Sequence, residues 1–477
     1  MVHKQESHPE LKPVALLLHA SLYVGRDVGK HTHMAGFVSS TLLQRHERFE
    51  ACPALAFEQS REGFRSLVDR MRSLVPLQQA YILLEHSGHS HRALVQYLQE
   101  LDIPIYGMPV QKRPAGRLKS DKRDALSLAN HLSKQLQRGI QLADKTHLVR
   151  RLLPATETAL HLKGWMRHRY ELIRACTQRK TKLTAICDEL FPELSRVLKD
   201  PNAVMALSIR EQFPTPHAVA PAPLPALAAV RTRSRPSNAQ LIELQQLASQ
   251  SIGTKAVIRQ RGLVLEPSQL IRQLKMLQEH VQQRDVEIVK LVEQSRQGQL
   301  LTSIPGIGSM QAAAIISAVG NILTFEKAAQ LKAYFGWAPA SEFSGTSVDR
   351  VHLTYGGSRT MKQMFFLSLA KAVQMDCEWA RLYQRLVPKK CSYDERKRAY
   401  RGRVKVIGRL AGQMIEMVSA RLKQDAEVLH QLPPAETPPD PILYDPDVHK
   451  RHRKGEDRPL KNTPRQRKGI RLPKRTP

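Results

Sequence analysis

Cysteine is scarce in this chain of 477 residues: Cys52, Cys176, Cys187, Cys377 and Cys391 are odd in number, scattered, and form no CxxC pair. That excludes a disulfide framework and a cysteine-built zinc site, and it suits a reducing cytoplasm. Long apolar runs are missing too. No stretch approaches the roughly 20 residues a membrane-spanning helix needs. The first residues, MVHKQESHPELKP, carry no apolar core followed by a small-residue cleavage site, so they do not read as a secretory signal. Acidic residues are in short supply, with 43 Asp plus Glu against 74 Lys plus Arg, a formal net charge of +31. Neither a lipidation motif nor a basic amphipathic terminal helix directs that charge to a membrane. A surface this basic suits nucleic acid, because each neutralised phosphate releases condensed counterions.

Hydrophobic residues make up 42% of the chain, and its length allows two or three domains with cores of their own. Strand and helix signals alternate over residues 21–150, as in an α/β domain with a mixed sheet. SLYVGRD reads as a strand ending at Asp27, HMAGFVSS as its hairpin partner, AYILLE as a central strand ending at Glu85, and IPIYGM as another strand. Helices are expected over 60–75, 89–101 and 120–136, the last capped by Ser120, with Asp121 and Asp124 at its positive end. Residues 151–298 read as two long helices, about 155–197 and 266–297, whose apolar stripes suit an antiparallel coiled-coil arm within or between chains. One stripe includes Leu172, Leu183 and Leu190, the other Leu270, Leu274 and Ile288. Between them, residues 213–238 are rich in Pro, Ala and Arg and read as a flexible linker. A compact, mainly helical unit is expected over 299–425. Residues 426–477 read as a disordered basic tail, with 12 Lys or Arg between Lys450 and Arg475. Residues 1–20 form an N-terminal extension.

Three constellations carry chemistry. The first is a set of four carboxylates, Asp27, Glu85, Asp121 and Asp124. Residues three apart on a helix share a face, and strand ends in the middle of an α/β sheet are where such folds place ligands. Hard oxygen donors suit Mg²⁺, and two ions about 3.5–4 Å apart stabilise the attacking and leaving oxygens of a phosphodiester. Each acid taken singly also reads as a turn residue or a helix-start charge. The second is SIPGIG, where Pro305, Gly306 and Gly308 make a tight turn between apolar helical segments. The turn is like a helix-hairpin-helix clamp on nucleic-acid backbone, or a plain interhelical turn. The third is the loop around Ser344, with Arg350, Arg359 and Lys362 downstream. A serine there is a candidate nucleophile toward phosphate, its transition state held by the cations; by itself, Ser-Gly in a loop is a turn. The cluster His86, His89 and His91 beside Glu85 has irregular spacing and reads as a solvated loop.

In order and spacing, VGRDVGK, LLEHSG, LKSDKRDALSLA and SIPGIG followed by LTFEKAAQLKAYFGWAPASEFSG resemble the insertion sequence 110 family of transposases. The resemblance covers residues 21–425. It implies a RuvC-like, RNase H-fold domain carrying a DEDD tetrad at Asp27, Glu85, Asp121 and Asp124. It also implies a C-terminal transposase domain with its catalytic serine at Ser344. On this basis two chains contribute to each active site, a transient phosphoserine link forms, and strands are exchanged through a junction. The family further implies a structured guide RNA, DNA ends and target as partners, a homo-oligomer, and a place in the cytoplasm beside the nucleoid. The chain departs from the family at Arg26, where a hydrophobic residue is expected, at Gly29, where a serine is, and at His89 and His91. Two other readings compete: a RuvC-like junction endonuclease that needs no serine, and a non-catalytic nucleic-acid-binding protein.

Overall fold

A computed structural model describes residues 21–27, 29–85, 91–108, 120–137, 149–230, 236–254, 257–344, 348–354, 356–433 and 436–452. The chain divides into two compact units. The first holds residues up to Thr156 together with Gly320–Tyr334 and Ile415–Leu432; the second holds Glu157–Val319, Phe335–Met414 and the residues from Pro433.

The first unit is built on one mixed sheet. Its elements in order are β1 (Leu22–Asp27), β2 (Thr32–Val38), α1 (Ser40–His46), β3 (Ala54–Glu58), α2 (Arg61–Arg72), β4 (Ala80–Glu85), α3 (Arg92–Gln99), β5 (Ile105–Met108), α4 (Asp121–Gln137) and β6 (Arg150–Arg151). The strand order is β3-β2-β1-β4-β5-β6, with β1, β4 and β5 parallel and β2, β3 and β6 antiparallel to their neighbours. The sheet is mixed, as the alternation of strand and helix signals led one to expect. The central strand β4 is apolar on both faces, with Ile82, Leu83 and Leu84 fully buried. One face, through Leu22, Val24, Ile82 and Leu84, packs with Leu67, Met71, Leu94 and Leu98 of α2 and α3. The other, through Tyr23 and Leu83, packs with Leu128 and Leu132 of α4.

The second unit is largely helical. α5 (Glu157–Leu190) is followed by α6 (Leu194–Val197), α7 (Val204–Gln212), α8 (Pro216–Val219), α9 (Leu224–Ala228), α10 (Asn238–Ser249) and α11 (Val257–Gln294). α5 and α11 run antiparallel: Arg169 pairs with Asp285, Arg179 donates to Gln273 at 3.3 Å, and Lys182 pairs with Glu266. Between them Leu183, Ile186 and Leu190 meet Leu263, Leu270, Ile271 and Leu274. Of the two apolar stripes, Leu183, Leu190, Leu270 and Leu274 thus meet within this pair. Within the stretch 213–238, residues 213–230 are folded into short helices and are not a flexible linker. Pro216 opens α8 at its first turn, and Pro225 sits in the first turn of α9. Val219, Leu227 and Val230 are buried, while residues 231–235 lie outside the described part. Proline composition suggested disorder; burial of the intervening aliphatics overrides it.

α12 (Arg296–Thr302) and α13 (Ser309–Val319) follow, then α14 (Ala328–Tyr334), which belongs to the first unit. The chain continues as a hairpin of β7 (Pro339–Ser344) and β8 (Val348–Leu353), then α15 (Arg359–Ala372) and α16 (Glu378–Lys390). A small ribbon of β9 (Ser392–Asp394) and β10 (Ala399–Arg401) leads to α17 (Arg403–Gln431), and α18 (Pro446–His452) comes last. Residues 426–433 and 436–452 are therefore ordered, unlike the tail expected there. Arg296 donates to the Pro439 carbonyl, Tyr444 N donates to Ser303 Oγ at 2.9 Å, and His449 is buried against Trp379. The basic run beyond His452 lies outside the described residues. Among those described, no helix is long and apolar enough to cross a membrane.

Candidate active site

Asp27 is the last residue of β1 and Glu85 the last of β4. The two strands are parallel neighbours, and Arg26 pairs with Leu84, so both acids stand side by side at one end of the sheet. Side chains alternate along a strand, which puts Asp27 on the same face as Gly25 and Tyr23, and Glu85 on the same face as Leu83. That is the face covered by α4.

Two glycines set how closely α4 lies. A Cβ on Gly25 would come within 2.2 Å of Ala129 N and 2.7 Å of Leu128 Cβ, and one on Gly36 within 2.6 Å of Leu126 N. The helix backbone therefore rests on the strands, a close approach only glycine permits. Gly25 meets residues 125–129 while Tyr23 packs with Leu128 and Leu132, so α4 runs antiparallel to β1. Its N-terminal turn comes to the end of the sheet where Asp27 and Glu85 lie. Asp121, Asp124, Ala125 and Leu128 share one stripe of the helix. Ser120 caps it, its hydroxyl accepting from Arg123 N at 3.2 Å. Asp121 is exposed, and Asp27, Glu85 and Asp124 are half-buried. The fold thus converges the backbones of all four acids, although among the described residues no three of His, Cys, Asp and Glu are gathered tightly enough to hold an ion as placed. An all-carboxylate donor set at the mouth of a sheet fits a hard divalent cation, because four like charges need a positive counterpart.

Arg26, on the opposite face of β1, is a cation that composition alone did not assign to the site. It is 1% exposed and donates from Nη2 to His33 Nδ1 at 3.0 Å, while His33 Nε2 donates to the Gln59 carbonyl oxygen. Burial pulls the Arg26 guanidinium down to about 10, against the pull of Asp27, so it stays charged at neutral pH. Burial foremost, and then the Arg26 charge, lower His33, which is neutral there. A fixed positive charge thus sits one residue behind the first acid. Its signal in the sequence was an arginine within an otherwise apolar strand. His86 and His89 lie outside the described residues; His91 stands just before α3.

In the second unit, Ser344 ends β7 opposite Val348, and Glu342 pairs with Arg350, so Ser344 and Arg350 hold positions of equal parity in the ribbon. The turn at 345–347 and Tyr355 lie outside the described residues. Arg359 is exposed at the first position of α15, whose cap is Ser358. Lys362 is engaged internally, its ammonium donating to the Thr354 carbonyl at 2.8 Å. Pro305 and Gly306 turn the chain between α12 and α13. Gly306 has φ +92°, and a Cβ there would meet Ser368 O at 2.6 Å, so this glycine is required by packing on α15. Gly308 is the exposed one of the pair, its N–H donating to Gln311 Oε1 at 3.2 Å.

Two family models match the chain. One, a transposase model of the DEDD type named for insertion sequence IS110, covers residues 24–192; the other, described as "Transposase IS116/IS110/IS902 family", covers residues 298–384. The "Insertion element IS110 uncharacterized 43.6 kDa protein" of Streptomyces coelicolor is 27% identical over 313 residues, 65% of this chain and 71% of the relative. The "Insertion element IS116 uncharacterized 44.8 kDa protein" of Streptomyces clavuligerus is 23% identical over 371 residues, 74% of this chain and 85% of the relative.

Proposed function

Because the chain belongs to the IS110 family of insertion-sequence transposases, we propose that it cleaves and rejoins DNA with two chemical parts, a carboxylate-held metal and the Ser344 nucleophile. The observation that carries the reading is the convergence of Asp27, Glu85 and the first turn of α4 at one end of the sheet. Asp27, Glu85, Asp121 and Asp124 would hold divalent magnesium, two ions in the full site. Bound there, the metal supplies a Lewis acid that draws charge from a phosphodiester oxygen. The fixed charge of Arg26 offsets part of the carboxylate repulsion.

Ser344 Oγ attacks phosphorus, the bond to the leaving sugar oxygen breaks, and the serine proton passes through a base to that oxygen. A covalent phosphoserine conserves the phosphodiester energy for rejoining, which water attack would not. The exposed Arg359, with Arg350, supplies positive charge for the phosphate in transit. The Pro305–Gly308 turn, with Gly308 exposed, is a backbone contact for DNA. A structured RNA from the element supplies target choice, and copies of the chain assemble on the DNA beside the nucleoid.

The test is a recombination reaction with the full chain, DNA carrying the element's ends, the flanking RNA and Mg²⁺. Rejoined product that depends on metal is expected, with RNA required for target choice. Cleavage that proceeds in excess chelator, or hydrolysed ends with no rejoining, rejects the reading in favour of another nuclease chemistry.

A further inference from the structure

Beyond the matched transposase segment, residues 385–409 carry ten Lys or Arg against Asp394 and Glu395. Four of these cations, Arg396, Lys397, Arg398 and Arg401, stand on the β9–β10 ribbon, between those of α16 and α17. Tyr393 pairs directly with Tyr400, their rings 5.1 Å apart edge to face, and Tyr393 is 54% exposed. Asp394 is used internally: Oδ1 accepts from Arg396 N at 3.1 Å and Lys397 N at 3.3 Å, and Oδ2 pairs with Arg401. Asp394 is thus occupied in closing the turn. Arg396, Lys397 and Arg398 are left exposed at the tip, opposed there by Glu395 alone. A two-stranded ribbon of three residues a side is marginal in water by itself, so a solvated loop would serve solubility equally well without it.

We propose that this ribbon enters the major groove of duplex DNA, its tip cations on the flanking phosphates and Tyr393 against the groove wall. The inference rests on the transposase reading, which requires duplex DNA as a partner. The B-form major groove, about 12 Å wide, admits a two-stranded ribbon. The major groove of duplex RNA is too deep and narrow for side chains to read. The geometry therefore separates the DNA from any RNA the protein carries.

The experiment measures binding of the full chain by fluorescence anisotropy over a salt series. The probes are a 30-base-pair duplex DNA, duplex RNA of the same sequence, and single-stranded DNA. Three proteins are compared: the wild type, a variant with Arg396→Ser, Lys397→Ser and Arg398→Ser, and a charge-matched control with Arg72→Ser, Lys182→Ser and Lys275→Ser. Circular dichroism establishes that all three are folded, and Tyr393→Ser provides an independent variant that leaves the charge intact. The tip variant should bind duplex DNA about tenfold more weakly, with a log–log salt slope smaller by roughly 2–3, at about 0.9 per lost phosphate contact. The control and the duplex RNA should change less than about twofold. Unchanged duplex-DNA binding in the tip variant, an equal loss on duplex RNA, or a loss confined to single-stranded DNA overturns the proposal alone. A wild-type chain that binds no duplex DNA overturns the transposase reading as well.

Discussion

Gly25 admits the carbonyl of Ala125 so closely that a Cβ on the glycine would lie 2.0 Å from its oxygen. The contact holds α4 flat against β1 and so fixes where Asp121 and Asp124 stand. Gly25→Ala must push the helix off the sheet, at a cost of about 1–3 kcal/mol or more. Gly164 in α5 has nothing within 4 Å of a Cβ position, and Gly164→Ala should stabilise by about 0.5–1 kcal/mol. Paired chemical denaturation of the two variants checks this; a neutral Gly25→Ala contradicts the close packing.

Asp121 separates chemistry from stability. It is exposed at the first turn of α4, so Asp121→Asn forfeits only a helix-end charge, about 0.3–1 kcal/mol. Strand cleavage should nonetheless fall by roughly 10²–10³, while DNA and RNA binding persists. Cleavage kinetics and a binding titration on the same preparation test both halves. Normal cleavage by the variant in Mg²⁺ removes Asp121 from the site.

How much of this was legible beforehand depended on whether the signal was local. β1, β4 and α4 were readable because apolar runs and the Ser120 cap are written in consecutive residues. Their acids followed as strand-end and helix-start positions. The face each acid occupies was less accessible, since it depends on Gly25 and Gly36 meeting residues 125–129 of a helix far along the chain. β3 and the ribbons β7–β8 and β9–β10 were missed because their ladders depend on partners beyond any short window. The stretch 213–238 misled because proline content marks both disordered linkers and the first turns of short helices. Ser344 was singled out by its order in the chain and by family resemblance, not by periodicity.

His449 ties the last helix down and makes stability depend on pH. Burial lowers its pKa to about 4 from 6.5, and its ring lies 4.5 Å from that of Trp379 and 2.7 Å from the Tyr444 hydroxyl by Nδ1. Between pH 6.5 and 4 the unfolded chain takes up a proton that the folded chain refuses. The second unit is therefore destabilised on acidification through that window, by up to about 3 kcal/mol, and the effect is absent above pH 7. His449→Phe should flatten the difference between pH 7 and pH 5 in denaturant titrations. An identical pH slope in variant and wild type contradicts it.

Attack on the DNA by a serine, and not by water alone, is tested most directly by trapping the protein–DNA adduct. Reactions on end-bearing DNA are stopped in denaturant, resolved on a gel and mapped by peptide mass. One phosphoserine adduct at Ser344 is expected, which Ser344→Ala abolishes while DNA binding is retained. An adduct mapping to Ser341 or Tyr355, or undiminished cleavage by Ser344→Ala with no adduct at all, contradicts it.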